Sequence, residues 1–169
     1  DQTLALSGTV VNLKVGDLDG DGKPEIAATQ LIGSGTVSIF KNVTSGAMAF
    51  ESPVSFATDV RPWGLDLGDF DGDGLADIVV ASLEKSISIL NNQSTASALD
   101  FSTLVHPTTY INRHILMGDV DTDGKPDIVF TSIDDGGQGI PASKVSIIRN
   151  KSCMTPAITP TGPLTICAG

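Results

Sequence analysis

An acidic segment of eleven residues occurs three times in this chain, and no other feature of the sequence constrains the fold as strongly. Each copy follows the pattern G-D-x-D-x-D-G-x-x-[DE]-I, and the copies occupy residues 16–26, 68–78 and 118–128. Their first aspartates are 52 and then 50 residues apart. A fixed internal period of this length indicates repeated supersecondary units, each of which buries its apolar face against the next.

The sequence around each loop repeats as well. An apolar run precedes the loop, a β-branched run follows it, and an alternating run that ends in asparagine comes next. The first two repeats add a fourth run, near residues 50–56 and 101–107. Within residues 37–39 and 87–89, isoleucine or valine alternates with serine, which is typical of a strand with one buried face.

Four short strands in a unit of about 50 residues predict the blade of a β-propeller. We therefore expect an all-β fold of three four-stranded antiparallel blades, which form half or part of a closed ring. A parallel β-helix with calcium loops is the main alternative, but its repeats are far shorter.

The loops themselves predict calcium sites. Ca²⁺ takes six to eight oxygen ligands, and carboxylates at alternating positions of a tight loop can converge on one ion. The predicted ligands are Asp17, Asp19, Asp21, the Lys23 carbonyl and Glu25; Asp69, Asp71, Asp73, the Leu75 carbonyl and Asp77; and Asp119, Asp121, Asp123, the Lys125 carbonyl and Asp127. The glycine after each third aspartate (Gly22, Gly74 and Gly124) should adopt a positive φ where the chain turns around the ion.

Two other interpretations of the loops are less consistent with the sequence. An EF-hand also begins D-x-D-x-D-G, but it requires a glutamate at position 12 and flanking helices. Position 12 is Ala28, Val80 or Phe130 here, and the flanking sequence is strand-like. Solvated acidic turns without a metal would leave four carboxylates repelling one another in each of three loops.

The net charge supports the same interpretation. The chain carries 20 acidic residues and a formal charge of −10, and 12 of those acidic residues lie in the three loops. Three bound Ca²⁺ ions would add +6 and leave −4. This acidity, with no basic patch, argues against a nucleic-acid partner. No apolar stretch approaches the roughly 20 residues of a membrane helix, so we expect no direct membrane insertion.

The loop and the β-branched strand after it resemble the FG-GAP/VCBS repeats, and the resemblance covers about residues 1–152. These repeats build the integrin α-chain propeller and many bacterial surface proteins. The resemblance implies blades with strands A to D, calcium in the A–B loop, and an extracellular or cell-surface location. It further implies a secreted module for adhesion or for protein or glycan interaction. The alternative is a structural or accessory domain of a large secreted enzyme.

The ends of the chain suggest how the blades are completed. Residues 4–9 align with residues 54–59, so the chain is expected to open with an outer, D-type strand. The expected units are residues 1–43, 44–92 and 93–152, and the last blade would take its outer strand from an N-terminal strand. Two chains could pair in this way to form a six-bladed ring. Residues 153–169 have the composition of a linker followed by the start of an Ig-like domain, and they hold both cysteines.

No nucleophile–base arrangement stands out, so we expect no enzymatic activity. If the chain binds a ligand, the D–A and B–C loops at the end opposite the calcium loops are expected to do so. Those loops bring together the candidate rim residues Arg61, Trp63, Asn112, Arg113 and His114. Trp63 is either an exposed stacking platform or a residue packed between blades.

Overall fold

Eleven strands and the turns between them make up the described part of the chain, which is residues 2–31, 35–134 and 143–151 of a computed structural model. The strands are β1 (Thr9–Gly16), β2 (Glu25–Leu31), β3 (Thr36–Phe40), β4 (Val54–Ala57), β5 (Pro62–Gly68), β6 (Asp77–Ser82), β7 (Ser86–Asn92), β8 (Phe101–Pro107), β9 (Ile111–Gly118), β10 (Asp127–Ile133) and β11 (Ser143–Ile148). Within these residues no helix could cross a membrane.

The strands form three antiparallel sheets in chain order. The first sheet is β1-β2-β3-β4 and the second is β5-β6-β7-β8, while the third contains β9, β10 and β11. The all-β fold with blade-like sheets is therefore confirmed, and the sheets form part of a ring without closing it. The first two sheets take their outer strands, β4 and β8, from the sequence unit that follows, as the permuted repeat predicts.

The N-terminal segment differs from its prediction. The D-type strand expected over residues 4–9 is not formed, because β1 begins only at Thr9 and residues 2–8 belong to no strand. A strand needs a hydrogen-bonding partner, and this segment was expected to pair with the outer edge of the last sheet, at β11, where the described residues place no fourth strand. The pairing with that edge stays a prediction. The Ser7 carbonyl instead accepts a hydrogen bond from the Gln30 side chain in β2. Residues 152–169, with the expected linker and Ig-like segment, lie outside the described residues.

Two apolar cores join the three sheets. One lies between the first and second sheets and includes Val37, Ile39, Leu65 and Val80. The other lies between the second and third sheets and includes Ile87, Ile115 and Phe130, among others. The inner strand β5 contacts both β1 and β9, so the first strands of the three sheets lie side by side.

Close packing at the second boundary depends on Gly64. A Cβ atom added to Gly64 would lie 2.2 Å from the backbone oxygen of Arg113 in β9. Only glycine fits at this approach of two backbones.

Asp66 connects all three inner strands. One of its carboxylate oxygens pairs with the Lys14 ammonium of β1 at 2.9 Å, and the other accepts a hydrogen bond from the Met117 N–H of β9 at 2.8 Å. Asp66 itself is buried. The Asp66 carboxylate therefore makes one polar contact across each of the two sheet boundaries.

The outer faces of the first and third sheets expose apolar side chains. The residues at the equivalent positions of other repeats are buried. Val145 and Ile147 of β11 are 72% and 52% exposed, whereas the equivalent Val37 and Ile39 of β3 are fully buried. Leu13 of β1 is 57% exposed, while its equivalent in β5 is buried between sheets. The two faces thus have the side-chain chemistry of a blade interface without a neighbouring blade in the described chain.

Candidate metal centres

Each acidic loop connects the first two strands of its sheet. The antiparallel pairing of β1 with β2 places Gly16 opposite Glu25, and the same pairing recurs as Gly68 with Asp77 and Gly118 with Asp127. The three loops therefore start and end at equivalent points of three stacked sheets.

The first aspartate of each loop shapes its backbone. The Asp17 carboxylate accepts hydrogen bonds from the N–H groups of Gly20 at 2.8 Å and Gly22 at 2.9 Å. Asp69 does the same for Gly72 and Gly74, at 2.7 and 3.0 Å. These bonds close the loop on one carboxylate, because the short side chain reaches backbone donors a few residues ahead.

Positive backbone dihedrals occur where the sequence predicts them. Gly22, Gly74 and Gly124 have φ of 84°, 93° and 88°. Another such position lies two residues earlier, where the third loop has Thr122 at a φ of 62° and the first two loops have glycine. A β-branched residue in this region is strained.

Three carboxylates of each loop converge. One oxygen from each member lies within 4.8 Å of the others, and the groups are Asp17, Asp19 and Glu25; Asp69, Asp71 and Asp77; and Asp119, Asp121 and Asp127. Such a group could hold a metal ion, and a donor set made only of carboxylate oxygens suits a hard cation such as Ca²⁺.

The third aspartates are not part of these groups. Asp21, Asp73 and Asp123 each accept a hydrogen bond from the N–H two residues ahead, at 2.8, 2.8 and 3.0 Å. In the first loop the Lys23 ammonium also lies 3.0 Å from Asp21, and its hydrogen bond lowers the pKa of that carboxyl. The carbonyls of Lys23, Leu75 and Lys125 remain predicted ligands.

The last carboxylate of each loop is fully buried and accepts hydrogen bonds from backbone N–H groups. Glu25 accepts hydrogen bonds from the N–H groups of Leu18 at 2.7 Å and Asn42 at 3.2 Å. Asp77 accepts equivalent bonds from Phe70 and Asn92, both at 2.7 Å. This carboxylate thus fastens the loop to the end of the third strand of the same sheet.

Burial makes two of these carboxylates, Glu25 and Asp77, difficult to ionise without a cation. Desolvation raises the pKa of Glu25, and the nearby Asp19 and Asp17 carboxylates add to the effect while its N–H partners oppose it. Desolvation likewise raises the pKa of Asp77, with Asp71 contributing. A bound cation would relieve both effects.

Two basic side chains already reach the converging groups. The Lys41 ammonium bonds the Asp19 carboxylate, and the Arg149 guanidinium bonds that of Asp121. The hydrogen bond to Asp19 raises the pKa of Lys41. At two of the three groups a basic side chain therefore partly neutralises the carboxylates, which is consistent with a site that favours positive charge.

Asparagine side chains link neighbouring loops, a feature that the sequence analysis missed. Asn92 donates to the Ala76 carbonyl of its own loop at 2.7 Å and to the Leu18 carbonyl of the first loop at 2.8 Å. Asn150 donates to the Phe70 carbonyl of the second loop at 2.5 Å. The only signal in the sequence was an asparagine at the end of each alternating run.

The candidate rim residues lie at the starts of β5 and β9, the ends opposite the acidic loops. The Arg113 guanidinium lies 5.6 Å from the Trp63 ring centroid, and half-buried Trp63 is neither fully exposed nor enclosed. Exposed Arg61 pairs with Glu84 at 3.1 Å, and His114 is exposed as well.

The prediction of Asn112 as a rim residue is wrong. Its side chain is fully buried and donates to the Ser86 carbonyl at 3.2 Å and the Thr108 hydroxyl at 2.7 Å. A polar side chain at the start of a strand was assigned to the surface, but these two acceptors hold it inside the boundary between sheets.

Comparison with known families agrees with this architecture. The FG-GAP-like repeat family matches residues 17–80 and, in a second and overlapping match, residues 69–130. The first match spans two acidic loops and the second reaches the third. No curated protein sequence matches the chain.

Proposed function

The chain belongs to the FG-GAP-like repeat family, and from that premise we propose that it is a calcium-stabilised, integrin-like β-propeller module of an extracellular protein. It has no catalytic activity in this proposal and acts by presenting surfaces to a partner. One observation carries the calcium assignment, namely the same convergence of three carboxylates in each of three loops.

Calcium is favoured by charge and by burial together. Each group contains a fully buried carboxylate beside two others, and at two loops burial raises the pKa of that carboxyl. Hard, multiply charged cations bind such oxygen sets, and sites of this type in extracellular modules bind calcium in the millimolar range. The ion would contribute directly to folding free energy.

Titration calorimetry with calcium tests the assignment. We expect about three ions per chain, and Asp71→Asn should remove one of them from the measured stoichiometry, because it takes one negative charge from the converging carboxylates. Glu51→Gln is the matched control, since Glu51 is an exposed acid outside the loops. Equal stoichiometry in Asp71→Asn and the control would contradict the assignment.

For the binding role we propose a protein or glycan ligand at the rim formed by Arg61, Trp63, Arg113 and His114. The stacked Arg113 and Trp63 side chains support it, because an aromatic ring with a neighbouring guanidinium can contact both sugar and carboxylate groups. The test is binding to an array of glycans and matrix proteins. Arg113→Ala should lose the signal while calcium stoichiometry stays unchanged.

The alternative is an accessory domain of a secreted enzyme, without a ligand of its own. It predicts no specific signal on such an array, with or without calcium.

Self-association is the third part of the proposal. A homodimer with a six-bladed ring would cover the exposed face of β11, whose Val145 and Ile147 align with fully buried residues of β3. In it, the N-terminal segment of each chain would complete the other chain's last sheet. Light scattering in calcium should then give twice the monomer mass of 17.4 kDa, and a concentration-independent monomer would rule the dimer out.

A further inference from the structure

The three loops share their carboxylates but differ in the cations around them. Two positions vary, one within the loop and one at the end of the third strand. They hold Lys23 and Lys41 in the first repeat, Leu75 and Asn91 in the second, and Lys125 and Arg149 in the third. Four loop carboxylates and these positions give a formal local charge of −2, −4 and −2.

Lys41 is the most firmly held of these cations. Its ammonium bonds the Asp19 carboxylate and donates a second hydrogen bond to the Ala96 carbonyl, 2.8 Å away between β7 and β8 of the second sheet. The side chain of Lys41 is 12% exposed and that of Asp19 is fully buried. A paired charge in so little water is costly to separate.

Arg149 makes the equivalent contact in a more open setting. It bonds Asp121, but the two side chains are 55% and 22% exposed. Exposed ion pairs contribute little to stability because water screens them. Arg149 is therefore displaced from its carboxylate more readily than Lys41.

The second loop lacks such a partner. Asn91 is neutral, and Asp71 makes no ion pair within the described residues. Lys125 and Lys151 line a groove of about 300 Å³ beside Asp71, yet neither is paired with it. Within the described residues, a metal that binds the second group therefore has no ion pair to displace from Asp71.

We propose that Lys41 and Arg149 act as internal competitors for calcium and set the order in which the sites fill. The second loop fills first, the third follows, and the first fills last. The inference rests on the proposed calcium function, because it assigns different affinities to the same three sites.

Nuclear magnetic resonance resolves the sites one by one. The N–H groups of Gly22, Gly74 and Gly124 each bond the first aspartate of their own loop at 2.9, 3.0 and 2.9 Å, so their signals report on each loop separately. A calcium titration of the wild-type chain should shift Gly74 first, Gly124 next and Gly22 last.

Variants then exchange the cations. Lys41→Gln should tighten the first site about tenfold and Arg149→Gln should tighten the third about two- to threefold, in line with their burial. Asn91→Lys should weaken the second site about two- to threefold, because Asp71 is exposed and water would screen the new pair. Lys144→Gln removes the same charge near the opposite end, where Lys144 lies over the Tyr110 ring, and should change no site more than twofold.

The outcomes separate the two proposals. If no glycine signal responds to calcium, the proposed function fails. If all three respond with equal affinity in the wild-type chain, or if Lys41→Gln and Asn91→Lys leave their sites unchanged, calcium binding stands and the competition is refuted. The wild-type filling order needs no variant to fold.

Discussion

The side-chain amide of Asn92 donates a hydrogen bond to the carbonyl of Leu18, 74 residues earlier and in the loop of the neighbouring sheet, at 2.8 Å. Asn92 is 1% exposed, so this bond is shielded from water. It joins one acidic loop to the next, so a change in the conformation of either loop alters a contact of its neighbour.

Asn92→Ala should therefore destabilise the chain more than the equivalent Asn42→Ala. Among the described residues the Asn42 side-chain amide donates only to the Pro24 carbonyl of its own loop, so the difference between the two variants reports on the bond across the boundary. A buried carbonyl left without a donor costs about 1–3 kcal/mol. Urea unfolding of both variants in calcium measures the difference, and equal losses would show that the cross-boundary bond contributes nothing.

Gly64→Ala should break the boundary between the second and third sheets. The added Cβ would meet the Arg113 carbonyl at 2.2 Å, and a backbone atom cannot rotate away. We expect a loss of about 3 kcal/mol in the free energy of unfolding. Gly118→Ala is the control, because a Cβ there meets nothing within 4 Å. A Gly64→Ala chain as stable as the control would mean that the two strands are farther apart.

Thr122→Gly should stabilise the third loop. Thr122 has a φ of 62°, and its equivalent Gly72 has a φ of 83° with nothing within 4 Å of an added Cβ. Relief of the left-handed strain, less the greater freedom of glycine in the unfolded chain, leaves a gain of about 0.5–1 kcal/mol. Thermal unfolding should show the gain, and Gly72→Thr should show a loss of similar size. A change of the same sign in both variants would exclude this explanation.

The stabilising effect of calcium should grow with pH. Burial raises the pKa of Glu25 above 4.5 and that of Asp77 above 3.8, so without metal the folded chain binds more protons than the unfolded chain in the window above those values. In calcium-depleted buffer the contribution of these two carboxyls to stability is then fully present below the window and is lost as pH rises through the raised pKa values. Bound calcium favours the ionised carboxylates and offsets the fall.

Thermal unfolding from pH 4.5 to 7, with and without millimolar calcium, checks this prediction. The lowered pKa of Asp21 acts in the opposite direction, but its window lies below 3.8, outside the scan. A calcium-dependent rise in Tm that stays constant across the scan would contradict the prediction.

The architecture could be predicted from the sequence because the internal repeat determines the order of the strands and loops. The period gave the strand order and the place of every acidic loop, and the glycine after each third aspartate has the expected positive φ. These are local properties, set by a few residues and repeated three times, so the pattern could be detected in one sequence.

What the sequence could not supply depends on which residues become neighbours. Asn112 looks like a surface residue until Ser86 and Thr108 are placed beside it. Residues 4–9 have the pattern of a strand, but within the described chain they do not pair with the outer edge of β11, the edge that they were expected to complete. The bond from Asn92 to Leu18 joins residues of different repeats, and no periodicity encodes it.

The residue at the position of Asp66 distinguishes the three units from one another. The equivalent residues of the three inner strands are Lys14, Asp66 and Leu116; Lys14 pairs with Asp66, and Leu116 is exposed. A positive, a negative and an apolar residue in that order make the two boundaries chemically different, although the folds on either side are alike. Rearranging the units would separate Lys14 from Asp66, so the copies are equivalent in shape but not exchangeable in order.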